Sequence, residues 1–164
     1  MNIILAGMPG CGKTTVSKLL ANKLGFEVVD TDELIVKEHG EISKIFAGFG
    51  EEYFRKLECE VVEKVASLRH IVVSTGGGCL INPKNVEAFK RNGKIVYLKT
   101  GIKELARRLE GDTTRPLLKG DAEANLKNLY ERRASIYESA ADFTVQTDGL
   151  TPDRIAEKIT EHLK

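Results

Sequence analysis

The 164-residue sequence has no excess of charge of either sign: 25 basic against 24 acidic residues leave +1. A balance this close gives no global electrostatic case for nucleic acid or an anionic membrane as the main partner, so any anion must be held locally. Long apolar runs are also missing. No uncharged stretch approaches the roughly 18 residues that cross a bilayer, and the opening MNIILAG has no cationic segment ahead of its few apolar residues. Neither secretion nor a membrane span is expected. Cysteine is scarce: Cys11, Cys59 and Cys79 are odd in number and lack metal-ligand spacing, so they read as reduced thiols in a cytoplasmic protein. Low-complexity runs and internal repeats are absent. What remains, 41% apolar and 30% charged, is the balance of a soluble globule, and residues 1–164 are expected to form one domain. A chain of this length buries roughly two thirds of its unfolded surface, so its core needs no disulfide or structural metal.

Short β-branched runs alternate with longer helical stretches. Strands are expected at 2–6, 26–29, 71–74, 95–98 and 143–147, four of them nearly continuous in Val, Ile and Leu. Such runs suit strands covered by helices on both faces, which points to an α/β fold with a mostly parallel sheet. A first helix over 14–24 would present Val16, Leu19, Leu20 and Leu24 on one face and stop at Gly25. A last helix would be capped by Thr151, with Pro152 at its first position and Ile155, Ile159 and Leu163 facing inward. Residues 111–122, GDTTRPLLKGDA, break every periodicity and read as a mobile excursion short enough to be a lid.

The run Gly7-Met8-Pro9-Gly10-Cys11-Gly12-Lys13-Thr14 fits G-x-x-x-x-G-K-[ST] between a strand and a helix, the context in which that motif wraps backbone N–H groups around phosphates. Lys13 is then expected to reach the β and γ phosphates of a nucleoside triphosphate, and the Thr14 hydroxyl to ligate Mg²⁺. Cys11 within the loop is either a reactive thiol or a small residue that fills a loop position. N-K-x-D and D-x-x-G are both absent, which removes the guanine-reading and switch elements of a GTPase.

Other polar groups follow strand ends, where an open α/β sheet binds ligands. Asp30 and Asp32 could serve a Mg²⁺ site and a substrate hydroxyl respectively, unless one merely caps the next helix. Arg55 and Glu58 are helical neighbours at i, i+3, and the plainer reading is a surface ion pair worth under about 1 kcal/mol. Gly76, Gly77 and Gly78 after the third strand let a ligand press against the backbone, or form a flexible turn.

Taken in order, GMPGCGKT, DTD, FRKLE, STGGG, TRPLL and ERRASIY resemble a shikimate kinase over nearly the whole chain, within the nucleoside monophosphate kinase-like group of P-loop folds. The resemblance implies a three-layer α/β/α fold with a five-stranded parallel sheet of order 2-3-1-4-5. It implies a cytoplasmic enzyme that transfers the γ-phosphate of ATP to the 3-hydroxyl of shikimate, with Mg²⁺, in aromatic amino-acid biosynthesis. Lys13, Asp32 and Arg115 would be catalytic. Gly10, Cys11, Gly12, Lys13, Thr14 and Thr15 would hold the nucleotide phosphates, with Arg115 closing over them, Arg108 stacking on adenine and Pro152 closing the adenine pocket. Asp30 would join Thr14 at the metal. Asp32 would bind shikimate hydroxyls, Arg55 and Arg133 its carboxylate, and Gly76, Gly77 and Gly78 would form the pocket's backbone wall. Phe46, Phe54 and Glu58 would complete it; Arg133 is assigned by its R-x-x-x-Y spacing to Tyr137. The adjacent Arg107 leaves the choice of adenine-facing arginine open. No role falls to His39, His70 or His162. A monomer acting on a small molecule, without nucleic acid or membrane, is expected. Rival readings are a kinase of another small hydroxy acid such as gluconate, against which Arg55, Glu58 and the triple glycine weigh, and a non-catalytic nucleotide-binding regulator, against which Lys13, Asp32 and Arg115 weigh.

Overall fold

The computed structural model describes residues 1–109 and 122–164. Strands β1 (Asn2–Ala6), β2 (Glu27–Asp30), β3 (Ile71–Ser74), β4 (Gly93–Lys99) and β5 (Phe143–Gln146) pair in parallel in the order β2-β3-β1-β4-β5. Helices α1 (Lys13–Leu24), α2 (Thr31–His39), α3 (Ile42–Ala66), α4 (Pro83–Asn92), α5 (Ile102–Leu109), α6 (Ala122–Ala140) and α7 (Pro152–Leu163) supply the connections. The chain leaves β1 through α1 to reach β2 beyond β3, then leaves β3 through α4 to reach β4 beyond β1. Right-handed crossovers in opposite directions put α1 and α4 on opposite faces, so the central strands are covered twice. Hence every residue of β1 and β3 is buried. The same reversal opens a crevice at the carboxyl ends of β1 and β3, the place where such sheets take ligands.

The expected α/β architecture, strand order and strands are present, with edges that differ. β2 is shifted by one residue and its Val28 is 40% exposed, because it is an edge strand with β3 as its only neighbour. β4 starts two residues before the predicted 95, since Gly93 already pairs with Asn2. β5 ends at Gln146, although the Thr147 N–H still donates to the Lys99 carbonyl at 2.9 Å. On α1 the buried face is Val16, Ser17, Leu20 and Ala21, with Leu19 and Leu24 packed at its margin. The face is therefore rotated from the predicted one: small side chains, not only large apolar ones, allow close packing. α7 matches its expected cap, Thr151 Oγ1 accepting from the Arg154 N–H at 3.2 Å.

α3 is bent at Gly50, whose φ of 86° and ψ of 172° interrupt the helix between Phe46 and the Phe54–Glu58 stretch. Of the expected lid, residues 111–121 lie outside the described residues, and Arg115 with them; Ala122 instead opens α6. Among the described residues no helix is long and apolar enough to cross a membrane.

Candidate active site

The loop between β1 and α1 takes its shape from two glycines. Gly10 at φ +83° and Gly12 at φ +99° hold left-handed conformations that L side chains rarely adopt, and Gly12 caps α1 with no side chain in the way. Lys13 Nζ donates to the Gly7 carbonyl at 2.7 Å and to the Met8 carbonyl at 3.1 Å, which holds its ammonium against the loop at the helix N-terminus. Positive charge and the helix dipole thus converge on one concavity, a fit for the phosphates of a nucleotide. Cys11 is 1% exposed and its N–H donates to the Met8 carbonyl at 3.1 Å. Its thiol is covered and takes a hydrogen bond from Lys13 Nζ at 3.7 Å, and its amide closes the loop's turn.

A cavity of about 580 Å³ opens on this loop and is lined further by Thr14, Thr15, Asp30, Asp32, Gly76, Gly77, Arg108 and Pro152. Of the expected acceptor residues, Asp32, Gly76 and Gly77 share this cavity with the expected nucleotide residues, whereas Phe46, Phe54 and Arg133 are not in its lining. Asp30 has a second duty as the N-cap of α2, its Oδ1 accepting from the Glu33 N–H at 3.0 Å. Such a cap contributes about 1 kcal/mol, so Asp30 faces the cavity and also serves the fold. Among the described residues no group of three His, Cys, Asp or Glu side chains could hold a metal, and Thr14 and Asp30, the two residues expected at Mg²⁺, both line the cavity.

Gly76, Gly77 and Gly78 carry the most specific geometry of the site. A Cβ on Gly76 would lie 2.5 Å from Asp32 Oδ1, one on Gly77 2.7 Å from Arg133 Nη1, and one on Gly78 2.5 Å from Arg55 Nη2. Three consecutive glycines therefore exist because three charged side chains from α2, α6 and α3 each come to rest on one of them. A flexible turn would not require this. Gly76 and Gly77 border the large cavity, while Gly78, Arg55 and Glu58 border a second of about 530 Å³, so the glycine strip runs from one to the other.

Arg55 Nη1 donates to Glu58 Oε1 at 2.9 Å, and the Glu58 side chain is only 2% exposed. This corrects the surface-pair alternative, because α3 turns Glu58 inward. Burial pushes the Glu58 carboxyl up from its ordinary range, against the opposing pull of Arg55. The Arg55 guanidinium lies 5.3 Å from the Phe54 ring centre, and Phe46 packs on Phe54 at 4.8 Å between ring centres, 37% exposed itself. The two aromatics thus back the arginine from one side.

Arg108, not Arg107, turns toward the loop. Its Nη1 donates to the Gly10 carbonyl at 3.1 Å while its Nε donates to Glu104 at 2.9 Å; the Arg107 side chain, 70% exposed, bonds only Glu104 among the described residues. Hydrogen bonds from Arg107 and Arg108 hold the Glu104 carboxyl down to about 2. Sequence reasoning missed Glu104, although its i, i+3 and i, i+4 spacing to the arginine pair is visible there. Two further residues were missed, Thr31 as a buried partner of Gly76 and the Tyr137 hydroxyl as a partner of Gly77.

Comparison with known proteins agrees with this geometry. A family model described as shikimate kinase matches residues 9–164. The shikimate kinase of Caldicellulosiruptor bescii is 46% identical over 96% of this chain and 92% of its own length. Among solved structures, shikimate kinase from Acinetobacter baumannii in complex with shikimate has a TM-score of 0.93 at 36% identity, covering 99% of this chain and 92% of that one. The enzyme from Bacteroides thetaiotaomicron has a TM-score of 0.90 at 32% identity, covering 99% and 98%. A family model that matches nearly the whole chain, together with relatives of this identity and coverage, shows that the chain belongs to the shikimate kinase family.

Proposed function

We propose that this chain transfers the γ-phosphoryl group of ATP to the 3-hydroxyl of shikimate, giving shikimate 3-phosphate and ADP for aromatic amino-acid biosynthesis, as a monomeric single-domain enzyme of the cytoplasm. The observation that carries the reading is the glycine strip: one carboxylate and two guanidinium groups lie on three successive residues beside a phosphate loop. A ring bearing a carboxylate and hydroxyls suits that set, since planar guanidinium groups take a carboxylate in two-point contact and Asp32 accepts from a hydroxyl.

MgATP, when bound, supplies the phosphoryl group and the metal's charge. The chain's own residues do the rest. Lys13 places a cation at the phosphate loop, and Thr14 with Asp30 offers oxygen ligands to the metal. Arg55, steadied by Glu58, and Arg133 hold the acceptor's carboxylate, which turns its hydroxyl toward Asp32.

A coupled ADP-release assay with MgATP and a panel of shikimate, quinate, gluconate and nucleoside monophosphates tests the reading. Turnover confined to shikimate is expected; turnover on gluconate or a nucleotide alone would overturn it. Arg55→Ala and Arg133→Ala are each expected to weaken shikimate binding by on the order of 2–5 kcal/mol while ATP affinity changes little. Arg55→Lys should also be impaired, because an ammonium cannot reproduce the fork that spans Glu58 and a ligand carboxylate. Titration calorimetry of both substrates checks this, and unchanged shikimate affinity in both alanine variants would move the carboxylate site elsewhere.

A further inference from the structure

Because Asp32, Arg133 and Arg55 face Gly76, Gly77 and Gly78 in turn, the placing of this strip sets the span between the proton-accepting carboxylate and the two guanidinium groups. Its ends are tied: Thr75 donates through both its N–H and Oγ1 to the Leu5 carbonyl, and at the other end the Cys79 carbonyl accepts from Asn85 Nδ2 at 2.9 Å while the Cys79 N–H donates back to the Gly76 carbonyl at 3.1 Å. Between those ties two side-chain hydroxyls grip it from different elements. Thr31, fully buried at the start of α2, accepts the Gly76 N–H on Oγ1 at 3.0 Å. Tyr137, 1% exposed on α6, donates its hydroxyl to the Gly77 carbonyl at 2.6 Å.

We infer that Thr31 and Tyr137 are positioning residues for the phosphoryl transfer, Thr31 setting the Asp32 end of the glycine strip and Tyr137 the Arg133 end. The inference rests on the kinase reading above. Each hydroxyl shares a helix with the charged group opposite the glycine it holds. Thr31 directly precedes Asp32 in the first turn of α2, and Tyr137 lies one helical turn beyond Arg133 on α6. A displacement of the strip therefore changes the distance to a reacting group without touching the phosphate loop. Burial pushes the Tyr137 hydroxyl up to about 12, with Arg133 opposing, so it remains protonated and donates across the working pH range. Valine at 31 keeps the shape of threonine but leaves a buried amide without its acceptor, and phenylalanine at 137 keeps the ring but leaves a carbonyl without its donor.

The test compares Thr31→Val, Thr31→Ser and Tyr137→Phe with wild type, in the full chain, by steady-state kinetics in ATP and shikimate, shikimate titration calorimetry and thermal unfolding. A misplacement of about 1 Å can cost 10²-fold, and a strip still tied at both ends should move less, so effects of about tenfold are expected. For Thr31→Val the loss falls on kcat, with both KM values nearly unchanged, and Thr31→Ser restores most of it because serine keeps the acceptor. For Tyr137→Phe the shikimate KM and Kd rise by that factor while kcat and the ATP KM hold. The inference is overturned if kcat and shikimate KM stay at wild-type values, if Thr31→Ser is as impaired as Thr31→Val, or if ATP and shikimate constants shift together in step with a lowered Tm, the mark of a structural role. Should Tyr137→Phe fail to fold, the Thr31 pair still decides. A wild type that leaves shikimate unphosphorylated overturns the functional reading and this inference with it; a wild type that phosphorylates shikimate beside unaffected variants overturns this inference alone.

Discussion

Lys13→Ala is expected to bring kcat close to background while the protein stays folded. The side chain leaves the first residue of α1 and reaches over the loop to the Gly7 and Met8 carbonyls at 2.7 and 3.1 Å, so it lies outside the apolar core. Losing those two bonds costs the fold about 0.5–1.5 kcal/mol each, since Lys13 itself lines the cavity and truncating it gives water a way to the two carbonyls. The cost to catalysis is of another order. Phosphoryl transfer offers little covalent work for side chains, and its acceleration comes from alignment and from fixed positive charge where negative charge spreads. Removing one such preorganised donor costs about 10²- to 10³-fold even where others remain. An ADP-release assay with circular dichroism on the same sample checks this. Wild-type kcat in a helical, folded variant would overturn the assignment of the phosphate loop.

That loop was readable in the sequence because its function is local. Eight consecutive residues carry the turn glycines, the cation and the hydroxyl, and β1 and α1 flank them directly. The sheet order needed more than spacing, since the alternation of runs indicates a parallel α/β layout and only the family resemblance supplied 2-3-1-4-5. Features that depend on what packs against a residue were harder to see. Nothing in FRKLE tells that α3 turns Glu58 inward, and nothing in the adjacent Arg107 and Arg108 tells that the second bonds Gly10 while the first faces solvent. Thr31 shows this most clearly. Between two aspartates it reads as a spacer, yet its hydroxyl meets an amide 45 residues away, a contact that exists only once β2 and β3 end side by side. Asp30 was legible as either cap or ligand; the cap is present, and its place on the cavity leaves the ligand role beside it.

Asp32→Asn is expected to lower kcat by at least about 100-fold with a smaller change in shikimate affinity, which separates the two duties of this carboxylate. Asp32 sits in the first turn of α2, close enough to the glycine strip that a methyl group on Gly76 would be 2.5 Å from its Oδ1. That crowding leaves room for a substrate hydroxyl but little for a side chain of another shape. Asparagine fits, and its oxygen still accepts a hydrogen bond, yet the amide cannot take up a proton at neutral pH. An aliphatic hydroxyl is a poor nucleophile until its proton leaves, and a positioned general base contributes about 10²- to 10⁴-fold. Against this stands the loose character of phosphoryl transfer, in which the proton departs late and alignment carries more of the rate. The two accounts differ in the pH profile. A base predicts an acid limb in the wild type that is missing from the Asp32→Asn variant; an aligning group predicts that wild type and variant share one limb, set by another group, with only the plateau lowered. Single-turnover kinetics across pH, with calorimetric Kd values for shikimate alongside, distinguish them. If kcat hardly moves while Kd rises steeply, Asp32 binds and does not catalyse. Asp30 then becomes the next carboxylate to test, and its Oδ1 is already engaged by the Glu33 N–H, so the remaining oxygen would have to do that work.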